Sequence, residues 1–147
     1  MAEHSGHILL LEHDVTTANA VADQLAGQGY YVEIVNEVDP SLDGDIDDDV
    51  DVVLCNIDMP GISWDAVMEI LAERQMEITA IMLSSHSDVV DVMTALRLGF
   101  NDFFLHPIDD WEALFASVRR CVALRGLRRQ NAAYGRQLEA ANAELRG

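Results

Sequence analysis

Four short polar stretches carry the residue types in this chain that can do chemistry, and each follows an apolar run. Glu12-His13-Asp14 follows Ile8-Leu9-Leu10-Leu11, Asn56 follows Val52-Val53-Leu54-Cys55, Ser84-Ser85 follows residues 78–83, and His106-Pro107 follows Phe103-Phe104-Leu105. Carboxylates and imidazoles hold cations or move protons, and a hydroxyl can donate to an oxyanion. Asn56 is of another kind. Its amide is uncharged and its oxygen is a poor nucleophile, so it offers hydrogen bonds rather than a covalent intermediate.

The apolar runs must position these groups. Short Val/Leu/Ile runs bounded by turn residues read as strands buried on both faces, the mark of a parallel sheet. Strands are expected at 7–11, 30–35, from 52 to Asn56, at 78–83 and at 103–105. Helices are expected between them. Asp14 is a candidate N-cap for the first, which carries Val15, Ala18, Val21, Ala22 and Leu25 at helical spacing and ends at Gly27 and Gly29. Ser63 or Asp65 caps a helix with Val67, Ile70 and Leu71, residues 89–98 form another closed by Gly99, and Asp109 or Asp110 caps a last one beginning near Trp111. Five β-α units with right-handed crossovers give a doubly wound, five-stranded parallel sheet. Chemistry in such sheets sits beyond the carboxyl ends of the strands, so the four polar stretches converge on one rim. The segment between the second and third strands holds six Asp from 43 to 51. A calcium-loop frame starting at Asp43 puts Asp48 where Gly is required, and one starting at Asp45 puts Val50 there. The segment reads as a solvated acidic loop.

Charge divides the chain. There is no lysine; residues 1–118 hold Arg74 and Arg97 against 24 acids, a formal −22, while residues 119–147 hold seven Arg against Glu139 and Glu144, a formal +5. Phosphate repulsion excludes nucleic-acid binding by so acidic a globule. The apolar runs are too short to span a bilayer, and the polar start lacks the pattern of a signal peptide. Cys55 and Cys121 sit in apolar contexts without metal-ligand spacing and read as reduced core thiols of a cytoplasmic protein. The expected division is a disordered 1–6, a domain over 7–122 and a helical linker over 123–147. In that linker Leu124, Leu127, Asn131, Tyr134, Leu138, Ala141 and Leu145 alternate steps of three and four, an a/d heptad seam with Asn131 at an a position. A buried Asn there favours a parallel, in-register dimer.

Several of these features recur together in one family. They are Ile8-Leu9-Leu10-Leu11 followed by an acid, Gly29-Tyr30, Asp58-Met59-Pro60-Gly61, Ile81-Met82-Leu83-Ser84-Ser85, Gly99-Phe100-Asn101-Asp102-Phe103 and His106-Pro107. On these, the chain from about His7 to Leu124 resembles the receiver domain of bacterial two-component response regulators. The resemblance implies a flavodoxin-like (βα)5 fold and phosphoryl transfer from a kinase's phosphohistidine to an Asp at the end of the third strand. It also implies a Mg²⁺ held by an acidic pair, a hydroxyl and a Lys on the phosphoryl oxygens, a switch aromatic at Phe103, and a partner face with Trp111, Phe115 and Arg119 as candidates, of which Trp111 and Phe115 read equally as core.

The sequence departs from that pattern. Asn56 stands at the acceptor position, His13 at the second acidic position beside Glu12, and His106 at the Lys position; Ser84 keeps the hydroxyl, and Asp58 matches a place where only the backbone carbonyl is needed. The expected protein is therefore a non-enzymatic, atypical receiver that is not phosphorylated. It would act as an interaction and dimerisation module coupled to an output domain through its C-terminal helix, with itself and a histidine kinase, phosphotransfer or output protein as partners. No cofactor is expected, or a weakened Mg²⁺ site. Alternatives are a conventional receiver that uses Asp14 or Asp58 as acceptor, a receiver that senses metal through Glu12, His13 and His106 or senses pH, and a flavodoxin-like enzyme. The last is disfavoured because the first strand-helix loop is acidic where a phosphate cradle needs glycine and hydroxyls. Trp64, just after the Met-Pro-Gly turn, either covers the pocket or lies on the surface. His4, His7 and His86 have no assigned role.

Overall fold

The computed structural model describes residues 5–37, 49–57, 78–85 and 96–146, with Asp65, Met68, Glu69 and Met93 as single positions of helical backbone. Expectations for Asp58, the Met-Pro-Gly turn, Trp64, His4, His86, residues 43–48, and most of the helices over 63–71 and 89–98 lie outside the described residues.

Five strands form one parallel sheet: β1 (His7–Leu11), β2 (Tyr31–Val35), β3 (Val52–Asn56), β4 (Thr79–Ser84) and β5 (Asp102–Leu105), in the order β2-β1-β3-β4-β5. Helix α1 (Val15–Ala26) joins β1 to β2, and α2 (Trp111–Arg146) follows β5. The expected fold is the one found, with strand ends shifted by one residue at β2, β4 and β5. Every residue of β3 and β4 is buried, as strands covered on both faces must be.

Alternation sorts the side chains. Ile8, Leu10, Val52, Leu54, Ile81 and Leu83 face one side, where Ala18, Val21 and Leu25 of α1 and Leu114, Phe115 and Val118 of α2 meet them. Leu9, Leu11, Val53, Cys55 and Met82 face the other, against Met68 and Leu98. Both cysteines are free and buried, and burial pushes both thiols up, which keeps them unreactive.

The first turn of α1 forms as expected: Asp14 accepts from Thr16 N and Thr17 Oγ1, each at 3.1 Å. Gly29 takes φ +94, which a side chain would strain, and lets the chain turn into β2. Backbone bonds join Ser5 and Gly6 to the turn before β2 and to its first residue. Ser5 N donates to Gly29 O, and Gly6 O accepts from Tyr31 N, both at 2.9 Å. A Cβ on Gly6 would come within 2.9 Å of Val122, so only glycine allows this approach to α2.

Phe115 is 4% exposed and, with the half-buried Trp111 at 6.2 Å between rings, belongs to the core rather than to a partner face; Arg119 is exposed. Contact between α2 and the sheet continues past Val122. Arg125 is 2% exposed, its Nε 3.8 Å from Asp51 Oδ1. Beyond it, residues 126–145 are exposed apart from a half-buried Gly135 and the undescribed surroundings of Ala132.

Candidate functional site

The chain reverses direction of winding between β1 and β3, which lie side by side although α1 and β2 intervene in sequence. At such a switch point the loops after the two strands part and leave a crevice. Glu12 leaves β1 there and Asn56 ends β3.

Both side chains are buried, Glu12 at 2% and Asn56 at 6% exposure, and they meet: Asn56 Nδ2 donates to Glu12 Oε2 at 2.5 Å. A carboxylate only accepts, so this contact sets which way the amide faces. Glu12 Oε1 accepts from Asp14 N at 3.1 Å and lies 3.4 Å from His13 Nδ1. The Glu12 backbone is fixed as well, its N–H donating to Val35 O at 3.1 Å and its carbonyl accepting Asn36 Nδ2 at 2.9 Å. Asn36 was not singled out from the sequence; an Asn directly after a strand carries no signal of its own there. Together these bonds hold a buried carboxylate without a lysine or arginine among its described partners, where an unpaired one would be costly.

Ser84 is fully buried at the end of β4, next to the strand carrying Asn56. Its carbonyl accepts His106 N at 2.7 Å, which extends the ladder one residue past β5. Phe103, on β5, is half-buried and packs against the core face of Leu11, Cys55 and Met82. Asp14 caps the start of α1, where hydrogen bonding from the Thr17 hydroxyl, above all, lowers its carboxyl below the usual value.

The metal set expected from Glu12, His13 and His106 does not assemble. Among the described residues no group of three or more His, Cys, Asp or Glu is placed to share a metal ion. The reason is the strand order: β5 lies three strands from β1, about 14 Å at the usual spacing. A lysine can reach across part of that distance, whereas an imidazole is short. His13 turns instead to Glu12, and His106 Nδ1 is buried without a hydrogen-bond partner among the described residues. Glu12, Asn56 and Ser84 thus gather at the centre of the rim, with His13 attached through Glu12 and His106 at the far side.

Comparison with known proteins agrees with this geometry. The model of the response regulator receiver domain family matches residues 8–119. The uncharacterized transcriptional regulatory protein YkoG of Bacillus subtilis is 27% identical over 126 residues, 86% of this chain and 55% of that protein. The transcriptional regulatory protein FixJ of Azorhizobium caulinodans is 28% identical over 131 residues, 89% of this chain and 59% of that protein. This chain thus spans little more than half the length of either relative. Among solved structures, the response regulator StyR shares the fold with a TM-score of 0.81 at 20% identity, over 94% of this chain and 69% of that one. With the parallel sheet in the order β2-β1-β3-β4-β5 and a family match over most of its length, this chain belongs to the response regulator receiver domains of two-component signal transduction.

Proposed function

We propose that this receiver is atypical and passes on its state without phosphorylation of Asn56. One observation carries the reading: the residue at the end of β3 presents an amide N–H to Glu12 rather than a carboxylate to solvent. A nucleophilic oxygen is missing where the family's acceptor stands, His106 stands where the family's phosphate-contacting lysine does, and the chain has no lysine elsewhere. Asp14 is a poor substitute acceptor because its carboxylate oxygens are engaged in capping α1. The output runs through α2. Residues 126–146 continue the helix about 30 Å past Arg125 at 1.5 Å per residue, with Leu127, Tyr134, Leu138 and Leu145 between 48% and 86% exposed. Helices in proteins owe most of their stability to packing of an apolar face rather than to propensity. The reading is a parallel homodimer through this seam, joining the receiver to an output segment of the kind that makes the relatives transcriptional regulators, with upstream histidine kinases or phosphotransfer proteins as contact partners rather than phosphoryl donors.

Incubation with acetyl phosphate and Mg²⁺ followed by intact-mass spectrometry tests the chemistry. The mass is expected to stay unchanged. A phosphoryl adduct overturns the reading, and mapping it to an aspartate would favour a conventional receiver with a displaced acceptor.

A further inference from the structure

The family resemblance implies a divalent cation beside Glu12, and the residues present do not fit one. Mg²⁺ takes oxygen ligands. Here the β3 group nearest Glu12 turns a nitrogen toward it, and the neighbouring acidic position is His13. Each carboxylate oxygen of Glu12 already has a donor within the protein: Asn56 Nδ2 for Oε2 and Asp14 N for Oε1. At 2% exposure such a carboxylate needs those donors to remain buried.

We propose that the Asn56 amide takes the place of a divalent cation in this chain. It satisfies Glu12 from within, so that the wild-type crevice excludes Mg²⁺, and Asn56→Asp alone makes the fold depend on a divalent cation. The second half follows from charge. An aspartate at 56 would set a second carboxylate oxygen against Glu12 Oε2 where an N–H now stands. Two buried carboxylates at that distance cannot both stay ionised unless a cation lies between them. This inference deepens the phosphorylation-independent reading and rests on it.

Thermal unfolding of the full chain, in EDTA and in millimolar MgCl2 or MnCl2, decides it. The wild-type Tm is expected to be the same in all three solutions. Asn56→Asp is expected to lose roughly 5–10 °C in EDTA and to recover most of it with either cation. The double variant Glu12→Gln with Asn56→Asp is expected to lose that cation response. If Asn56→Asp does not fold in EDTA, recovery of its far-UV circular dichroism on adding MgCl2 gives the same result. Because so acidic a surface attracts cations everywhere, Mn²⁺ broadening of amide NMR signals supplies the location: Glu12, Asn56 and Ile57 should broaden selectively in the variant and not in the wild type. Mg²⁺ stabilisation or selective broadening in the wild type overturns the proposal, as does an Asn56→Asp protein indifferent to Mg²⁺ or unfolded with and without it. Wild-type cation binding without a phosphoryl adduct would overturn this inference alone, whereas an adduct would overturn the phosphorylation-independent reading.

Discussion

Asp14 and Asn56 differ in how far their surroundings in sequence reveal them. A short acidic residue just before an apolar helical period is a cap signal, and Asp14 caps α1 with both carboxylate oxygens. The Thr17 hydroxyl, with the amides of Thr17 and Thr16 and the adjacent His13, lowers its carboxyl from 3.8, against some desolvation. A carboxyl lowered on folding contributes stability above its unfolded value, and that contribution is lost as pH falls through the folded value. Asp14→Ala is therefore expected to lower Tm at neutral pH. The gap to the wild type should narrow below about pH 3.8 and close in stronger acid, as thermal unfolding of the two proteins across pH will show. A gap that persists at low pH would mean that the cap acts through geometry alone. Asn56 was legible only as an uncharged residue at a reactive place. That its amide faces Glu12, 44 residues earlier in the chain, depends on the strand order, which brings β1 beside β3. Spacing along the sequence contains no such information.

The elements were legible where period and punctuation agreed. The run from His7 to Leu11 is β1 to the residue, and Val52 to Asn56 forms a strand buried throughout, as an unbroken apolar run requires. What the sequence concealed is how α2 is fastened. Arg125 looks like one more cation in a basic helix, yet it is buried and directed at Asp51. A charged side chain is normally solvated, so only the tertiary packing of α2 over the starts of the strands could reveal the exception. Asp51 is a junction: its Oδ2 accepts His7 N at 2.9 Å, its carbonyl accepts Thr79 Oγ1 at 2.9 Å, and its Oδ1 faces Arg125. It ties the beginnings of β1 and β4 to the last buried turn of α2. The 3.8 Å separation and an Asp51 side chain 19% exposed place the pair below a fully buried ion pair in strength. Asp51→Ala is expected to lower unfolding stability by about 2 kcal/mol, measured by urea denaturation. A loss within experimental error of zero would mean that Arg125 is held by its other contacts. The same element settles the open choice for Phe115, which is buried in the core: an aromatic on a helix reads alike for core and partner face until the sheet beneath it is placed.

At the scale of the molecule, an acidic globule of formal charge −22 carries a helical extension of +5. In the proposed dimer through α2 two such globules would come together, so self-repulsion would oppose the apolar seam. Screening weakens that repulsion once the Debye length falls below the separation of the globules, about 10 Å at 0.1 M salt. Association is therefore expected to tighten as salt rises, the reverse of a dimer held by complementary charge. Gly126 and Gly135 each cost the helix about 1 kcal/mol relative to Ala, so the proposed coil predicts that the helicity of the segment beyond Arg125 falls when the dimer is broken. Two consequences separate a parallel coil from a helix standing alone. Leu138→Asp places a charge in the seam, and sedimentation equilibrium should then find a monomer, with far-UV helicity reduced but the unfolding of the sheet domain retained. Asn131→Leu removes the polar a-position residue; the assembly should tighten and lose its restriction to two chains, because that residue fixes register and oligomer state at a cost in stability. A wild-type protein that sediments as a monomer at all concentrations and salts, with its full helical signal, would remove the coil as the route of output and leave the receiver to act through the surface of the globule.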